Sequence, residues 1–103
     1  MRRIHFTNKA LEDLSDIWNY TENLWGEEQA DKYYYSLIEQ FNCLITKPIL
    51  HKIKYSEVME GLLGIKKNKH IIFYMEDFNT LDIHIIRILH QRMDVKSHIK
   101  LEQ

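Results

Sequence analysis

The sequence predicts an α+β fold of the order β-α-α-β-β-β, an antiparallel sheet with a helical hairpin packed on one face. Two long segments carry apolar residues at helical spacing, and little more than a glycine separates them. Three later segments are apolar with a period close to two, and short polar joints connect them. The chain has 103 residues, and 45% of them are hydrophobic. We therefore expect one domain spanning 1–103, with the helices on one face of the sheet.

The amino-terminal segment predicts a strand followed by a capped helix. Arg2–Thr7 alternates apolar Ile4 and Phe6 with polar residues, the pattern of a half-buried strand. Thr7 or Asn8 can accept hydrogen bonds from the first free N–H groups of the helix. The helix carries one broad apolar stripe, made of Ala10, Leu11, Leu14, Ile17, Trp18, Thr21, Leu24 and Trp25. Acidic residues lie mostly off that stripe, at Glu12, Asp13, Asp16 and Glu22.

Gly26 ends the first helix, and a second helix runs from there to Pro48. Its apolar stripe consists of Ala30, Tyr34, Leu37, Phe41, Leu44 and Ile45. Because the connection is so short, the two helices form an antiparallel hairpin. The tyrosines at 33–35 point about 100° apart on a helix, so they cannot form one stacking platform for nucleic acid. We expect Tyr34 to pack into the core and its neighbours to pack beside it.

The second half of the chain predicts a meander. Pro48–Gly61 shows neither period and is interpreted as a connection. Strands are predicted at Leu62–Lys67, Lys69–Asp77 and Thr80–His90, and their short joints make them antiparallel neighbours. The last two strands contain continuous aliphatic runs, which are typical of central strands covered on both faces. The remaining tail predicts a short helix or an edge strand.

Composition indicates where the protein is located and which ligands it is not expected to bind. No segment approaches the roughly 18 apolar residues of a transmembrane helix, and no apolar h-region follows the two amino-terminal arginines. Cys43 is the single cysteine, which favours a reducing, cytoplasmic location. Six histidines are scattered without the spacing of ligands, so we predict no metal site and no cofactor. A net charge of −1 argues against strong direct binding to nucleic acid.

A basic cluster flanks the predicted turn between the second and third strands, at Lys66, Lys67, Lys69 and His70. Ammonium groups there could hold phosphates or stabilise charge in a phosphoryl transition state. The alternative is that these lysines simply solvate an exposed turn.

A second polar group ends the last strand, at Arg87, His90 and Arg92. Metal-free RNA cleavage needs a base, an acid and a cation, and these residues, with Tyr74 and Glu76, could supply them. However, an odd separation places Arg87 and His90 on opposite faces of a regular strand, so they converge only if the strand twists or bulges. The alternative is that Arg87 pairs with Asp94, because an arginine inside a strand needs a counter-charge.

Four segments together resemble the RelE/ParE toxin superfamily of bacterial type II toxin–antitoxin pairs, and its ParE-like branch in particular. The most specific is "RILHQRMD" at Arg87–Asp94, preceded by "HIIFYMED" at His70–Asp77. The hairpin sequence "ALEDLSDIWNYTENLWGEEQADKYYYSL" at Ala10–Leu37 and the element "EGLLGIKKNKHIIFY" at Glu60–Tyr74 are similar to the same family. The resemblance covers nearly the whole chain.

This resemblance implies a toxin that binds DNA gyrase and stabilises its cleaved-DNA complex, without being an enzyme itself. It also implies a ParD-like antitoxin that neutralises the toxin and carries it to operator DNA. The predicted target-binding residues are Lys66, Lys67, Lys69, Arg87, His90 and Arg92. The predicted antitoxin-binding residues are Trp18, Trp25, Tyr33 and Tyr34.

The RelE-like branch implies a different activity, cleavage of mRNA on the ribosome. In that alternative Arg87, His90 and Arg92 would be catalytic. The chain departs from the family pattern at Leu63, Ile65 and Asn68, which replace an arginine, an aromatic residue and a turn glycine. No tyrosine follows Asp94, so the carboxy-terminal tyrosine of RelE-like members has no match. These departures favour the ParE-like branch, and a degenerate toxin that survives only as a co-repressor is a third interpretation.

Overall fold

The computed structural model describes residues 2–46 and 52–99. The elements in chain order are β1 (Ile4–Phe6), α1 (Asn8–Trp25), α2 (Glu27–Thr46), β2 (Ile53–Lys54), β3 (Leu63–Lys67), β4 (His70–Glu76), β5 (Ile83–His90) and α3 (Val95–His98). The predicted α+β order is confirmed, with β2 added and the tail forming a short helix. None of the helices in the described ranges is long and apolar enough to cross a membrane.

The five strands form one sheet in the order β1-β5-β4-β3-β2. β2 to β5 pair antiparallel, whereas β1 joins the edge of β5 in parallel. No tight turn links β1 to β5, so nothing local dictates the direction of this pair. β2 lies in the segment predicted as a connection, and because Ile53 and Lys54 are both exposed, no burial pattern marks it.

The helical hairpin forms as predicted. Thr7 Oγ1 accepts a hydrogen bond from the Ala10 N–H at 3.0 Å, which caps α1. Gly26 adopts a φ of 95°, a conformation that favours glycine, and turns the chain into α2. α2 buries four residues of its predicted stripe, Ala30, Leu37, Phe41 and Leu44. It ends at Thr46, and Pro48, predicted to close it, lies outside the described residues.

α1 buries a narrower face than its sequence predicts. Ala10, Leu14 and Ile17 are buried, but Leu11 is 50% exposed and Trp25 is 73% exposed. The buried positions all lie within the first ten of the 18 residues of the helix. The apolar stripe therefore continues beyond the part of α1 that covers the sheet, and its last turns present apolar side chains to solvent.

Hydrophobic cores lie on both faces of the sheet. The first core, beneath the helices, includes Leu14, Leu37, Phe41, Ile72, Tyr74, Ile85 and Ile88. The second core, on the other face, contains Val58, Leu62, Phe73, Leu89 and Ile99. Successive residues of β4 alternate between the two cores, as strand geometry requires. The prediction that β4 and β5 are covered on both faces is confirmed.

A β-bulge interrupts β5 at the point where β1 ends. Ile85 pairs with Tyr74 and Arg87 pairs with Phe73, so Ile86 has no partner on β4. β1 reaches no further along β5 than Ile85. From the bulge onward, the outer edge of β5 has no neighbouring strand among the described residues.

Asp13 of α1 occupies this open edge. Its Oδ2 accepts hydrogen bonds from the Ile88 N–H at 3.0 Å and from Arg87 Nε at 2.8 Å. Its Oδ1 accepts from Arg87 Nη2 at 2.9 Å, and Arg87 Nη1 donates to the His98 carbonyl at 2.8 Å. The side chain of Asp13 is only 11% exposed. It takes the place of a strand neighbour and ties α1, β5 and α3 together.

This contact corrects two expectations. Asp13 belongs to the buried face of α1 rather than to its surface. The hypothesis that Arg87 pairs with Asp94 is wrong, because Asp94 accepts from Ser97 Oγ at 2.7 Å at the start of α3. The counter-charge of Arg87 comes from 74 residues away, so no local spacing in the sequence signals it.

We expect Asp13→Ala to lower the free energy of unfolding by about 3–5 kcal/mol, because it leaves a half-buried guanidinium and a backbone N–H without partners. Urea unfolding of the purified variant measures this loss. Asp16→Ala, at an exposed position of the same helix, should change stability by no more than about 0.5 kcal/mol. A loss below about 1 kcal/mol for Asp13→Ala would mean that water replaces the carboxylate.

Candidate functional site

An open groove of about 760 Å³ lies where the helical hairpin meets the β3–β4 turn and the paired ends of β4 and β5. We call it the end groove. Its volume suits a peptide segment or a small ligand. Side chains from two helices, two strands and the β3–β4 turn line it, among them Tyr20, Leu24, Trp25, Lys32, Tyr33, Lys69, His70 and His90.

Two histidines and a tyrosine meet in the end groove. His70 and His90 lie opposite each other in the β4–β5 ladder, with ring centroids 5.4 Å apart and planes at 78°. Tyr33 Oη lies 2.6 Å from His70 Nδ1. We assign the hydroxyl as the donor of this bond, because the raised pKa of Tyr33 keeps its proton in place and His70 Nδ1 is its side-chain partner among the described residues. The Arg92 N–H donates to His90 Nδ1 at 3.1 Å.

The surroundings of this cluster shift two pKa values. Burial, assisted by repulsion from His90, lowers the pKa of His70 to about 4. Burial also raises the pKa of Tyr33, against the opposing hydrogen bond from Lys69. At neutral pH His70 is therefore an uncharged imidazole that accepts at Nδ1 and carries its proton on Nε2.

The β3–β4 turn presents the predicted lysines to solvent. Lys66 and Lys69 are exposed and Lys67 is half-buried. Asn68 adopts a left-handed φ of 56°, which asparagine tolerates better than most residues, so the turn forms without glycine. Of these lysines, Lys69 lines the end groove.

The three residues of the catalytic alternative do not converge. Arg87 is held by the ion pair described above, His90 lines the end groove and Arg92 is exposed. The bulge precedes Arg87, so the strand from Arg87 to His90 is regular. Arg87 pairs with Phe73 of the second core, whereas His90 pairs with His70 on the helix side. The predicted placement on opposite faces is confirmed.

The other candidate proton carriers lie away from the end groove. Tyr74 is in the first core, and burial raises its pKa to about 12. The carboxylate of Glu76 accepts from Arg2 Nη2 at 2.7 Å. Within the described ranges, no group of three or more His, Cys, Asp or Glu residues could hold a metal ion.

The predicted antitoxin-binding residues fall into two places. Trp25 and Tyr33 line the end groove beside Lys69 and His90. Trp18 and Tyr34 line a second open groove of about 440 Å³ between α1 and α2. Trp18 Nε1 donates to Asp31 Oδ1 at 3.0 Å, and Tyr34 packs against the first core, as predicted.

Most lining residues of the end groove were not predicted as functional, among them Tyr20, Leu24 and Lys32. Tyr20 and Leu24 are exposed on the last turns of α1, and Lys32 faces the same space from α2. The signal that could have identified Leu24 is the length of the apolar stripe of α1, which exceeds what the sheet can cover. The Tyr33–His70 contact joins residues 37 positions apart and has no local signal.

Sequence comparison finds relatives along almost the whole chain. The family model described as the ParE toxin of type II toxin-antitoxin system, parDE, matches residues 4–95. Toxin ParE1 of Caulobacter vibrioides is 29% identical over 99 residues, which cover 96% of this chain and 99% of that protein. Toxin ParE1 of Mycobacterium tuberculosis is 30% identical over 91 residues, which cover 87% and 90%.

Solved structures share the fold. The chromosomal ParDE TA system from P. aeruginosa contains a chain that superposes with a TM-score of 0.73 at 25% identity, covering 87% of this chain and 96% of that one. The YoeB-YefM complex from Staphylococcus aureus gives a TM-score of 0.59 at 18% identity, covering 88% and 98%. The second likeness shows the fold alone.

His70 predicts a pH dependence of stability. Its folded pKa of about 4 lies below its ordinary value of 6.5, so the unfolded chain binds the proton more readily. The stability that depends on a neutral His70 is complete above about pH 6.5 and is lost as the pH falls toward 4. Across this window we expect wild type to lose up to about 2 kcal/mol more than His70→Gln, allowing for partial solvent screening. Urea unfolding at several pH values tests this, and parallel curves for the two proteins would contradict it.

Proposed function

Because this chain belongs to the ParE toxin family of type II toxin–antitoxin systems, we propose that it inhibits DNA gyrase by binding and stabilising the cleaved-DNA complex of that enzyme. In this proposal the chain acts through binding, needs no cofactor and works in the cytoplasm. A cognate ParD-like antitoxin neutralises it and brings the pair to operator DNA.

The hydrogen bonds of Arg87 are the observation that favours a binding mechanism over a nuclease mechanism. A nuclease cation must be free to meet the phosphate as charge develops on it. The guanidinium of Arg87 instead gives three of its donors to Asp13 and to the His98 carbonyl. Asp13 also holds the backbone of β5, so releasing Arg87 would open the sheet edge as well.

The proposed target face is the β3–β4 turn together with the end of β5. Lys66 and Lys69 are exposed there, Lys67 is half-buried, and Arg92 is exposed just after β5. Exposed cations on a rigid turn can contact an acidic protein surface or the DNA that gyrase holds. Arg87 supports this face by fixing β5 rather than by contact.

The proposed antitoxin surfaces are the helical hairpin and a sheet edge. The P. aeruginosa neighbour belongs to a ParDE TA system, which supports an antitoxin partner for this chain. An amphipathic helix can use a groove of the hairpin, and an extended segment can add hydrogen bonds at an open strand edge.

One observation favours the RelE-like alternative. His70, His90 and Tyr33 are grouped in one groove with Lys69, and two imidazoles beside a cation could exchange protons with RNA. Against it, each Nδ1 is already hydrogen-bonded and the predicted cation Arg87 is engaged elsewhere.

Two parallel assays separate the candidates. We expect purified protein to block supercoiling by gyrase and to accumulate cleaved DNA, while mRNA stays intact in a translation reaction mapped for cuts. Cut mRNA with unaffected gyrase would overturn the proposal in favour of the alternative. Inertness in both assays would favour a chain that acts only as an antitoxin-bound co-repressor.

The double variant Lys66→Ala/Arg92→Ala tests the target face. If each cation contributes about 0.5–1 kcal/mol of binding, gyrase inhibition should weaken by roughly 5–30-fold. The matched control is Lys52→Ala/Lys96→Ala, which removes two exposed cations elsewhere and should retain wild-type potency. Equal potency of the two double variants would show that this face does not contact gyrase.

A further inference from the structure

The two histidines of the end groove each have one ring nitrogen in use and one available. His70 Nδ1 accepts from Tyr33 and His90 Nδ1 accepts from Arg92, so each ring carries its proton on Nε2. Neither Nε2 has a hydrogen-bond partner in the part of the chain that the structure describes. Fully buried side-chain N or O atoms without partners are also absent from that part, so neither Nε2 atom is completely buried. The end groove thus holds two free N–H donors side by side.

The charges around these donors favour an anion. Lys32 of α2 and Lys69 of the β3–β4 turn line the groove, and no Asp or Glu within residues 2–46 and 52–99 lines it. The wider chain has 15 acidic and 14 basic residues, so a lining without carboxylates is a local feature. A lysine ammonium and neutral imidazole N–H groups together suit a carboxylate, which accepts several hydrogen bonds at once.

The outer wall of the same groove is apolar. Tyr20, Leu24 and Trp25 are 68%, 55% and 73% exposed, at the end of α1 that extends past the buried core. Exposed aromatic and aliphatic side chains at one site are typical of a surface that receives a partner's apolar anchor. A nucleic acid would instead need a row of cations along its phosphates, and this groove offers two lysines beside uncharged imidazoles.

We propose that His70 and His90 form a carboxylate-binding site in the end groove, which receives an Asp or Glu of the antitoxin while an adjacent bulky apolar side chain of that segment packs on Leu24 and Trp25. This inference rests on the proposed function, since the antitoxin is the partner. The same groove contains two predicted antitoxin-binding residues, Trp25 and Tyr33, and two predicted target-binding residues, Lys69 and His90. An antitoxin bound there would cover part of the target-binding surface, which would explain neutralisation.

The test uses the whole chain and its cognate antitoxin, with affinity measured by isothermal titration calorimetry. We expect His90→Ala to weaken binding by about tenfold and Lys69→Glu, which places a repelling charge in the groove, by more than that. His84→Ala, on the same strand but outside the groove, and Lys96→Glu, on α3, should stay within about twofold of wild type. Thermal unfolding checks each variant, and the exposed Lys69 keeps the test valid if His90→Ala unfolds.

A coupled measurement identifies the carboxylate. Each Asp and Glu of the antitoxin segment is changed to Asn or Gln, and each variant is titrated against wild type and His90→Ala. One antitoxin change should weaken binding to wild type about tenfold and have little further effect on His90→Ala, the signature of a direct pair. The inference would be overturned if, for every carboxylate, the loss of affinity from the antitoxin change simply added to the loss from His90→Ala.

The remaining outcomes separate the inference from the function on which it rests. Wild-type affinity retained by both His90→Ala and Lys69→Glu overturns the inference and leaves the toxin–antitoxin pair intact. Failure of the wild-type chain to bind the antitoxin at all overturns the proposed function itself. Binding of a fluorescein-labelled uridine decamer that His90→Ala abolishes, with antitoxin affinity unchanged, would reassign the groove to nucleic acid.

Discussion

The buried carboxylate of Asp13 is the contact on which the remainder of this fold depends. β1 covers only the first part of β5, which leaves a central strand with an unpaired edge beside the helices. An unsatisfied backbone N–H at such a place costs about as much as a lost hydrogen bond. Asp13 satisfies it from a helix, and the charge this brings into the interior is matched by Arg87. One side chain therefore closes the sheet edge, anchors α1 and, through Arg87, fixes α3.

The polar residues of β5 therefore have two different roles, since Arg87 stabilises the fold and His90 lines the end groove. Arg87 leaves one face of the strand and is held in the ion pair with Asp13. His90 emerges on the other side and joins Tyr33 and His70 in the end groove. The exposed last turns of α1 complete that groove, because the helix is longer than the sheet requires. Arg87 and His90 lie close together in the sequence, and the alternation of the strand separates their side chains, as their odd spacing predicts.

Elements governed by local rules could be predicted from the sequence. Periodicity located both helices and the three main strands, the Thr7 hydroxyl marked the start of α1, and aliphatic runs identified β4 and β5 as central. The contacts that define the site are not local. An aspartate in the first turns of a helix looks like a favourable surface charge, and only the three-dimensional position of β1 shows that Asp13 must be buried. Likewise, β2 has two exposed residues and no pattern, and its pairing depends on β3 being in place.

The sequence separation of these contacts sets the order in which the chain can be completed. β1 pairs with residues nearly 80 positions later, and Asp13 meets Arg87 across 74 positions. During synthesis the helical hairpin emerges early, with its aspartate still hydrated and its apolar face uncovered, and the last strand emerges near the end. Closure of so long a loop is slow compared with helix formation. The hairpin can therefore form before β5 is available, but the sheet cannot be completed until then, and a product that stops before Arg87 lacks both the end of β5 and the charge that pairs with Asp13.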